Sequence, residues 1–350
     1  MSDIRHETNT CVSVALEIPE EHKESYTYLP GQYITFKKEI GGEELRRSYS
    51  ICSSPLENDF RVAIKQVTGG KFSGYACSQL KKGDLIEVMT PMGNFTTPLD
   101  ATSQKNYMAL VAGSGITPVM SLMKSILATE PLSTFTLAYG NQNLQSIIFK
   151  EEIEALKNKY MGRLQVIHIL SREKLETDIN NGRINQAKCA QLFNGLLDLN
   201  MMHHFFMCGP EEMIMSVKDY LISQGVDEKK IHFELFTTGS QTKNADWKET
   251  HQEDNEKLCT VTIKVDDRTY DIKLAYGGDN ILDAALKSGA DLPYACKGGV
   301  CCTCRAKVME GEVDMEVNYA LEKEEVAQGF VLTCQAHPKT DRVFIDFDAR

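Results

Sequence analysis

The chain has 350 residues, 42% hydrophobic and 25% charged, which suits a folded protein of two or three domains. Its net charge of −11 argues against a nucleic-acid partner, and no apolar run approaches the roughly 18 residues of a membrane-spanning helix. Residues 1–7 lack the apolar stretch of a signal peptide, so a cytoplasmic location is expected.

Residues 1–102 read as an antiparallel β-barrel. Short β-branched or alternating runs (Val12-Leu16, Tyr33-Phe36, Ser48-Ile51, Phe60-Val67, Leu85-Met89) alternate with turn signals such as Pro30-Gly31, Gly41-Gly42 and Gly69-Gly70. Residues 103–236 change rhythm. Apolar strands at Tyr107-Ala112, Phe135-Tyr139, Leu164-Ile169, Phe205-Cys208 and Ile231-Phe236 are separated by helical patterns at Val119-Leu127, Ile148-Lys159 and Glu211-Ser223. That alternation predicts a doubly wound parallel α/β domain.

Residues 237–257 contain no Ile, Leu, Val, Met or Phe, and so read as a linker, with Trp247 its lone large aromatic. Residues 258–350 form a small α+β unit. A hairpin (Thr260-Val265, Thr269-Leu274) leads to a helix, Ile281-Lys287, with Asp279 or Asn280 as N-cap and Gly289 just past its end, and Val343-Phe347 is a closing strand.

Three places carry chemistry. The first is Arg47-Ser48-Tyr49-Ser50, which alone reads as an ordinary amphipathic strand. It gains meaning from Gly69-Gly70-Lys71-Phe72-Ser73, which opens a predicted helix, Ser73-Gln79. Free N–H groups at a helix start hold phosphate, and Ser73 adds a hydroxyl.

The second is Gly113-Ser114-Gly115-Ile116-Thr117-Pro118, between a strand and a helix. Glycines there permit a tight turn and close approach to a pyrophosphate, and Pro118 fits a first helical turn because its missing N–H is not needed. Cys208-Gly209-Pro210 ends a later strand, where ligands of such sheets bind.

The third is metal chemistry. The chain has 11 Cys, and a reducing compartment makes disulfides the wrong default. Cys11, Cys52, Cys77, Cys189 and Cys259 are scattered and read as packing residues. Cys296, Cys301 and Cys304 have the C-x4-C-x2-C spacing, and Cys334 follows, which is the plant-type [2Fe–2S] pattern. A four-thiolate zinc site is the competing reading, although zinc ribbons favour two C-x2-C knuckles. Cys302 does not fit the spacing and reads as a non-ligand.

With these residues in view, the segment Leu292-Pro293-Tyr294-Ala295-Cys296 and its partner cysteines resemble plant-type ferredoxins, which implies a β-grasp fold and a one-electron carrier. The R-x-Y-S strand, the glycine turn after it and the G-x-G-x-x-P turn resemble the ferredoxin–NADP reductase superfamily. That resemblance implies FAD rather than FMN, with Arg47 on the flavin phosphate, Tyr49 stacked on the isoalloxazine and Ser50 near N5. It implies Cys208 against the nicotinamide, Phe236 covering the flavin until nicotinamide displaces it, and Glu234 helping to relay charge. Ser171 and Arg172 match a pair that plant-type reductases place on the 2′-phosphate, which implies NADPH over NADH.

The domain order, with Glu43-Glu44-Leu45-Arg46-Arg47-Ser48-Tyr49-Ser50-Ile51-Cys52 and Asn318-Tyr319-Ala320-Leu321-Glu322, resembles the family of reductase subunits serving ring-1,2-phenylacetyl-CoA epoxidases. The resemblance implies a diiron oxygenase as electron acceptor. Two alternatives stand beside it: a reductase for another multicomponent oxygenase, and a redox sensor whose cluster signals rather than conducts.

Overall fold

The computed structural model describes residues 1–236 and 257–349, which belong to two compact units, Met1–Phe236 and Thr237–Arg350. The predicted linker lies outside the described residues except for Lys257, as does Trp247.

The first unit opens with two three-stranded antiparallel sheets. One has the order β1 (Asp3–Thr8), β2 (Cys11–Ala15), β5 (Arg61–Lys65); the other has β4 (Glu43–Ser50), β3 (Tyr33–Ile40), β6 (Glu87–Val88). A bridge from Ile51 to Val62 joins the sheets into a barrel. The turn between β3 and β4 is Gly41-Gly42, with φ of +64° and +79°, a pair of positive angles that glycine takes without strain and that suits a two-residue hairpin. Val12, Val14, Ile34, Phe36, Val62 and Ile64 fill the barrel, and α1 (Lys71–Ser78) contributes Phe72 and Ala76 to the same core. Strand β1 was not legible in the sequence: it is polar and half-exposed, a sheet edge rather than a core strand.

The second half of this unit is a five-stranded sheet built from β7 (Asn106–Ala112), β8 (Thr134–Asn141), β9 (Leu164–Leu170), β10 (His204–Gly209) and β11 (Ile231–Leu235). The order is β11-β10-β7-β8-β9 and every pair is parallel. The chain runs outward from β7 in one direction, then returns to add β10 on the other side. The order therefore reverses between β7 and β10, and that crevice is where such sheets bind ligands.

Around the sheet lie α2 (Ile116–Thr129), α3 (Lys150–Lys159), α4 (Gln186–Gly195) and α5 (Glu211–Ser223). Helix α2 is buried from Ile116 through Leu127, so it must be covered on all sides. Its apolar residues join Val111, Tyr139 and Phe206 of the sheet, each fully buried Leu, Ile or Met contributing roughly 1.5–3 kcal/mol. Its polar residues face the barrel: Ser121 donates to Ser53 O at 2.6 Å, Ser125 Oγ lies 2.7 Å from Ser54 Oγ, and Lys124 pairs with Glu57 at 3.2 Å. Barrel residues Cys11, Cys52, Ala63 and Phe95 belong to the same apolar core as α2, so the two halves share one interior.

The other unit has a five-stranded mixed sheet of β12 (Leu258–Val265), β13 (Arg268–Ala275), β14 (Arg305–Glu310), β16 (Phe330–Leu332) and β18 (Arg342–Asp346), in the order β13-β12-β18-β14-β16. Only β12 and β18 are parallel. Strands β15 (Val313–Met315) and β17 (Ala336–Pro338) pair separately. Helix α6 (Ile281–Lys287) has the predicted ends: Asn280 accepts from Asp283 N–H, and Gly289 follows with φ +87°. It buries Ile281, Leu282 and Ala285 against Val261 and Ile263. A short helix, α7 (Lys323–Ala327), completes the unit. Among the described residues no helix is long and apolar enough to cross a membrane.

Candidate functional site

Strand β4 ends with Arg47, Ser48, Tyr49 and Ser50. Ser48 Oγ and Thr35 Oγ1 share a hydrogen bond at 3.0 Å, and Arg47 Nη1 donates to Arg46 O at 2.7 Å. The exposed Glu43 carboxylate, on the same strand, pairs with Lys71 Nζ at the start of α1. The hydrogen bond and charge of Lys71, with the charge of Arg47, hold that carboxyl below its usual range. Two cations from separate elements thus face one anionic group, and this donor set fits a phosphate.

Gly70 caps α1, and a Cβ there would meet Ser73 Oγ at 2.6 Å. The Ser73 hydroxyl is taken up locally, accepting from Val67 N–H at 3.0 Å, so it builds the turn instead of facing outward. The Phe72 ring is buried between Phe36 and Tyr49, with centroids 5.8 and 5.7 Å away. Of Phe72, therefore, only the backbone is placed to meet a phosphate.

At the switch point, Gly113 takes φ +55° immediately after β7. A Cβ on Gly115 would stand 2.1 Å from Cys208 O and 2.4 Å from Cys208 C. The close approach that Gly115 permits is thus to the end of β10, which locks the turn into the crevice. Thr117 Oγ1 donates to Ser114 O at 2.9 Å, and Pro118 is buried in the first turn of α2. Lys65 Nζ lies 3.3 Å from where a Cβ on Gly113 would sit, which puts a cation beside the turn. A tight turn, a helix start and a nearby ammonium fit a pyrophosphate.

Cys208 is fully buried and stands in register with Glu234 on β11. Burial first, then the Glu234 charge, pushes its thiol well up. Ser50 Oγ donates to Glu234 Oε2 at 3.1 Å. Glu234 keeps some accessible surface, yet enough protein surrounds it that burial pushes its carboxyl up to about 8, against a lowering from Ser50. Phe236 packs, partly exposed, on the core that contains Phe206 and Cys208. Ser50, Cys208 and Glu234, from three distant stretches of sequence, therefore meet at one place. Ser171 and Arg172 are exposed just past β9, where Arg172 N–H donates to Gln142 O at 2.8 Å.

In the other unit the cysteine thiols gather. Cys301 Sγ is 3.2 Å from Cys296 Sγ, and the free Cys296 and Cys334 thiols, and those of Cys334 and Cys304, are likewise hydrogen-bonding neighbours. Gly298 N–H donates to Cys296 Sγ at 3.3 Å. Thiol–thiol bonding, with Cys301 first, holds Cys296 low and pushes Cys301 and Cys334 up. Among the described residues no three Cys, His, Asp or Glu side chains surround a position for a single ion. The thiols instead form a chain of neighbours, which fits a two-iron cluster that divides four thiolates between two metals better than it fits one zinc. Cys302 is buried in the domain core, its thiol donating to Ala320 O at 3.3 Å.

Three family models match the chain: an oxidoreductase FAD-binding domain over residues 3–97, an oxidoreductase NAD-binding domain over 110–219, and a 2Fe-2S iron-sulfur cluster binding domain over 263–339. The E subunit of 1,2-phenylacetyl-CoA epoxidase from Escherichia coli (strain K12) is 43% identical over 100% of this chain and 97% of its own. The chain belongs to this family of flavin- and nicotinamide-binding iron–sulfur oxidoreductases.

A ferredoxin reductase component of 3-ketosteroid-9-alpha-monooxygenase from Rhodococcus rhodochrous is 32% identical over 99% of this chain and 95% of its own. Phthalate dioxygenase reductase shares the fold, with a TM-score of 0.57 at 20% identity over 99% of this chain and 96% of that one. This oxidoreductase uses FAD, a nicotinamide nucleotide and a [2Fe–2S] cluster. Two features of its sites escaped the sequence reading. Glu43 was legible only as part of a charged run, and nothing in the sequence pointed Lys65 at the glycine turn.

Proposed function

We propose that this chain is the reductase component of a diiron oxygenase acting on phenylacetyl-CoA, that it works in the cytoplasm and that NADPH is its donor. The oxygenase assignment rests on the similarity to the phenylacetyl-CoA epoxidase component of Escherichia coli. The observation that carries the chemistry is the meeting of Ser50, Glu234 and Cys208 at the switch crevice.

In this reading Arg47, Lys71 and the N–H groups of Phe72 and Ser73 hold the flavin diphosphate, Gly70, whose own N–H donates to Val67 O, shapes the turn that presents them, and Tyr49 and Ser48 line the ring. Gly113, Gly115, Thr117 and Pro118 shape the turn that receives the nicotinamide diphosphate, and Arg172 with Ser171 receives the 2′-phosphate. Cys208 and Ser50 flank the place of hydride transfer, Glu234 holds a proton on its carboxyl there, and Phe236 excludes water until nicotinamide enters. Cys296, Cys301, Cys304 and Cys334 would supply the four thiolates that hold the cluster. When bound, the flavin takes an electron pair as hydride and releases single electrons, and the cluster carries them one at a time.

The test is an anaerobic titration of the full chain with NADPH, followed by visible absorbance and low-temperature EPR. Flavin bleaching followed by a rhombic [2Fe–2S] signal is expected. A cluster that stays oxidised while the flavin bleaches sinks the relay. Product formation from phenylacetyl-CoA with a purified diiron epoxidase, compared with a ring hydroxylase on its own substrate, tests the partner.

A further inference from the structure

Gln335 follows Cys334 directly and is buried, 7% exposed. Its backbone is held on both sides: its N–H donates to Leu332 O at 2.8 Å and its carbonyl accepts from Glu316 N–H at 2.9 Å. Gly299, at φ +72°, lies over the side-chain stem, where a Cβ would meet Gln335 Cγ at 3.3 Å. The carboxamide therefore has little freedom to turn outward.

Its Nε2 donates to Cys334 O at 2.8 Å and to Lys297 O at 3.2 Å, and it lies 3.6 Å from Cys334 Sγ, within reach of an N–H to sulfur bond. The orientation of the amide follows from its partners. Two carbonyl oxygens need a donor, and the flipped amide would set oxygen against oxygen. Two N–H bonds thus serve three acceptors, one of them a thiol. Lys297 itself takes φ +51°, so the same amide also pins a left-handed, non-glycine residue of the cysteine loop.

We propose that Gln335 is a positioning residue that raises the reduction potential of the cluster, through an N–H that it shares between a backbone carbonyl and Cys334 Sγ. This rests on the reading of Cys296, Cys301, Cys304 and Cys334 as ligands. One-electron reduction adds negative charge to the cluster and its thiolates. A hydrogen-bond donor on a ligand sulfur stabilises that charge and favours the reduced form. The sequence motif alone does not contain this contact, because it depends on how the side chain is held.

The test uses the full-length protein purified anaerobically, with iron and sulfide content measured first. An EPR-monitored redox titration then compares wild type with Gln335→Leu and Gln335→Met, which keep bulk and remove the donors. Both variants are expected to show a lower cluster midpoint. The expected size is on the order of a tenfold change in the reduced-to-oxidised ratio at fixed potential, about 59 mV for a one-electron couple. The flavin midpoint should not move. Cluster-loaded variants with the wild-type midpoint overturn the proposal.

A measurement on wild type keeps the test independent of how the variants fold. With glutamine side chains labelled with ¹⁵N, pulsed EPR of the reduced protein should show a hyperfine coupling to that nitrogen. Its absence overturns the proposal. A wild-type protein without iron overturns the ligand reading on which the proposal stands.

Discussion

Ser50 and Glu234 are separated by 184 positions in the chain, yet the Ser50 hydroxyl donates to Glu234 Oε2 across 3.1 Å. The bond joins the end of a barrel strand to the last strand of the parallel sheet. It places a hydroxyl and a carboxyl beside Cys208, where the glycine turn closes the crevice.

Burial raises the Glu234 carboxyl from 4.5 to about 8. A raised acid pKa means the folded protein binds the proton more tightly than the unfolded chain does. The stabilisation is complete below about 4.5, falls as pH rises, and is gone above about 8. Glu234→Gln should flatten that part of the stability profile. Thermal unfolding of both proteins between pH 5 and 9 checks it; parallel profiles would refute it.

Gly115→Ala puts a methyl group 2.1 Å from Cys208 O, a backbone atom that cannot step aside without moving β10. A loss of at least about 1–3 kcal/mol in urea unfolding is expected, with weaker nicotinamide binding. A fully stable variant with unchanged binding would mean that the turn tolerates displacement.

Cys302→Ala should retain the cluster, because its thiol donates to Ala320 O. The cost is about 1 kcal/mol for one lost hydrogen bond. Cys301→Ser, by contrast, should lose most of the iron. Iron analysis and the visible spectrum distinguish the two, and a Cys302→Ala protein without iron would reverse the assignment.

Arg172 stands exposed at the end of β9. Arg172→Gln should lower kcat/KM for NADPH by about 10- to 100-fold, the equivalent of about 1.5–3 kcal/mol for a charge-assisted bond. The value for NADH should hardly change. Equal losses with both donors would place the 2′-phosphate elsewhere.

Elements with a local cause were legible in the sequence. The run Thr260-Val265 marked β12, Asp279 or Asn280 with Gly289 marked the ends of α6, the structure choosing Asn280, and the glycine turn after β7 marked the start of α2. The spacing of Cys296, Cys301 and Cys304 was legible for the same reason, since the loop that gathers them is short. Polar β1 escaped, because it is defined by the partner it pairs with and not by its own pattern.

What meets across distance followed from the packed fold. Long-range contacts depend on strand order and packing, which a linear pattern does not encode. The reversal between β7 and β10 brings Gly115 onto Cys208, and adding β11 beside β10 carries Glu234 to Ser50. The same physics set which donors remain available: the Ser73 hydroxyl went to its own turn, the Phe72 ring went to the core, and the Gln335 amide was held on two carbonyls within reach of a cysteine sulfur.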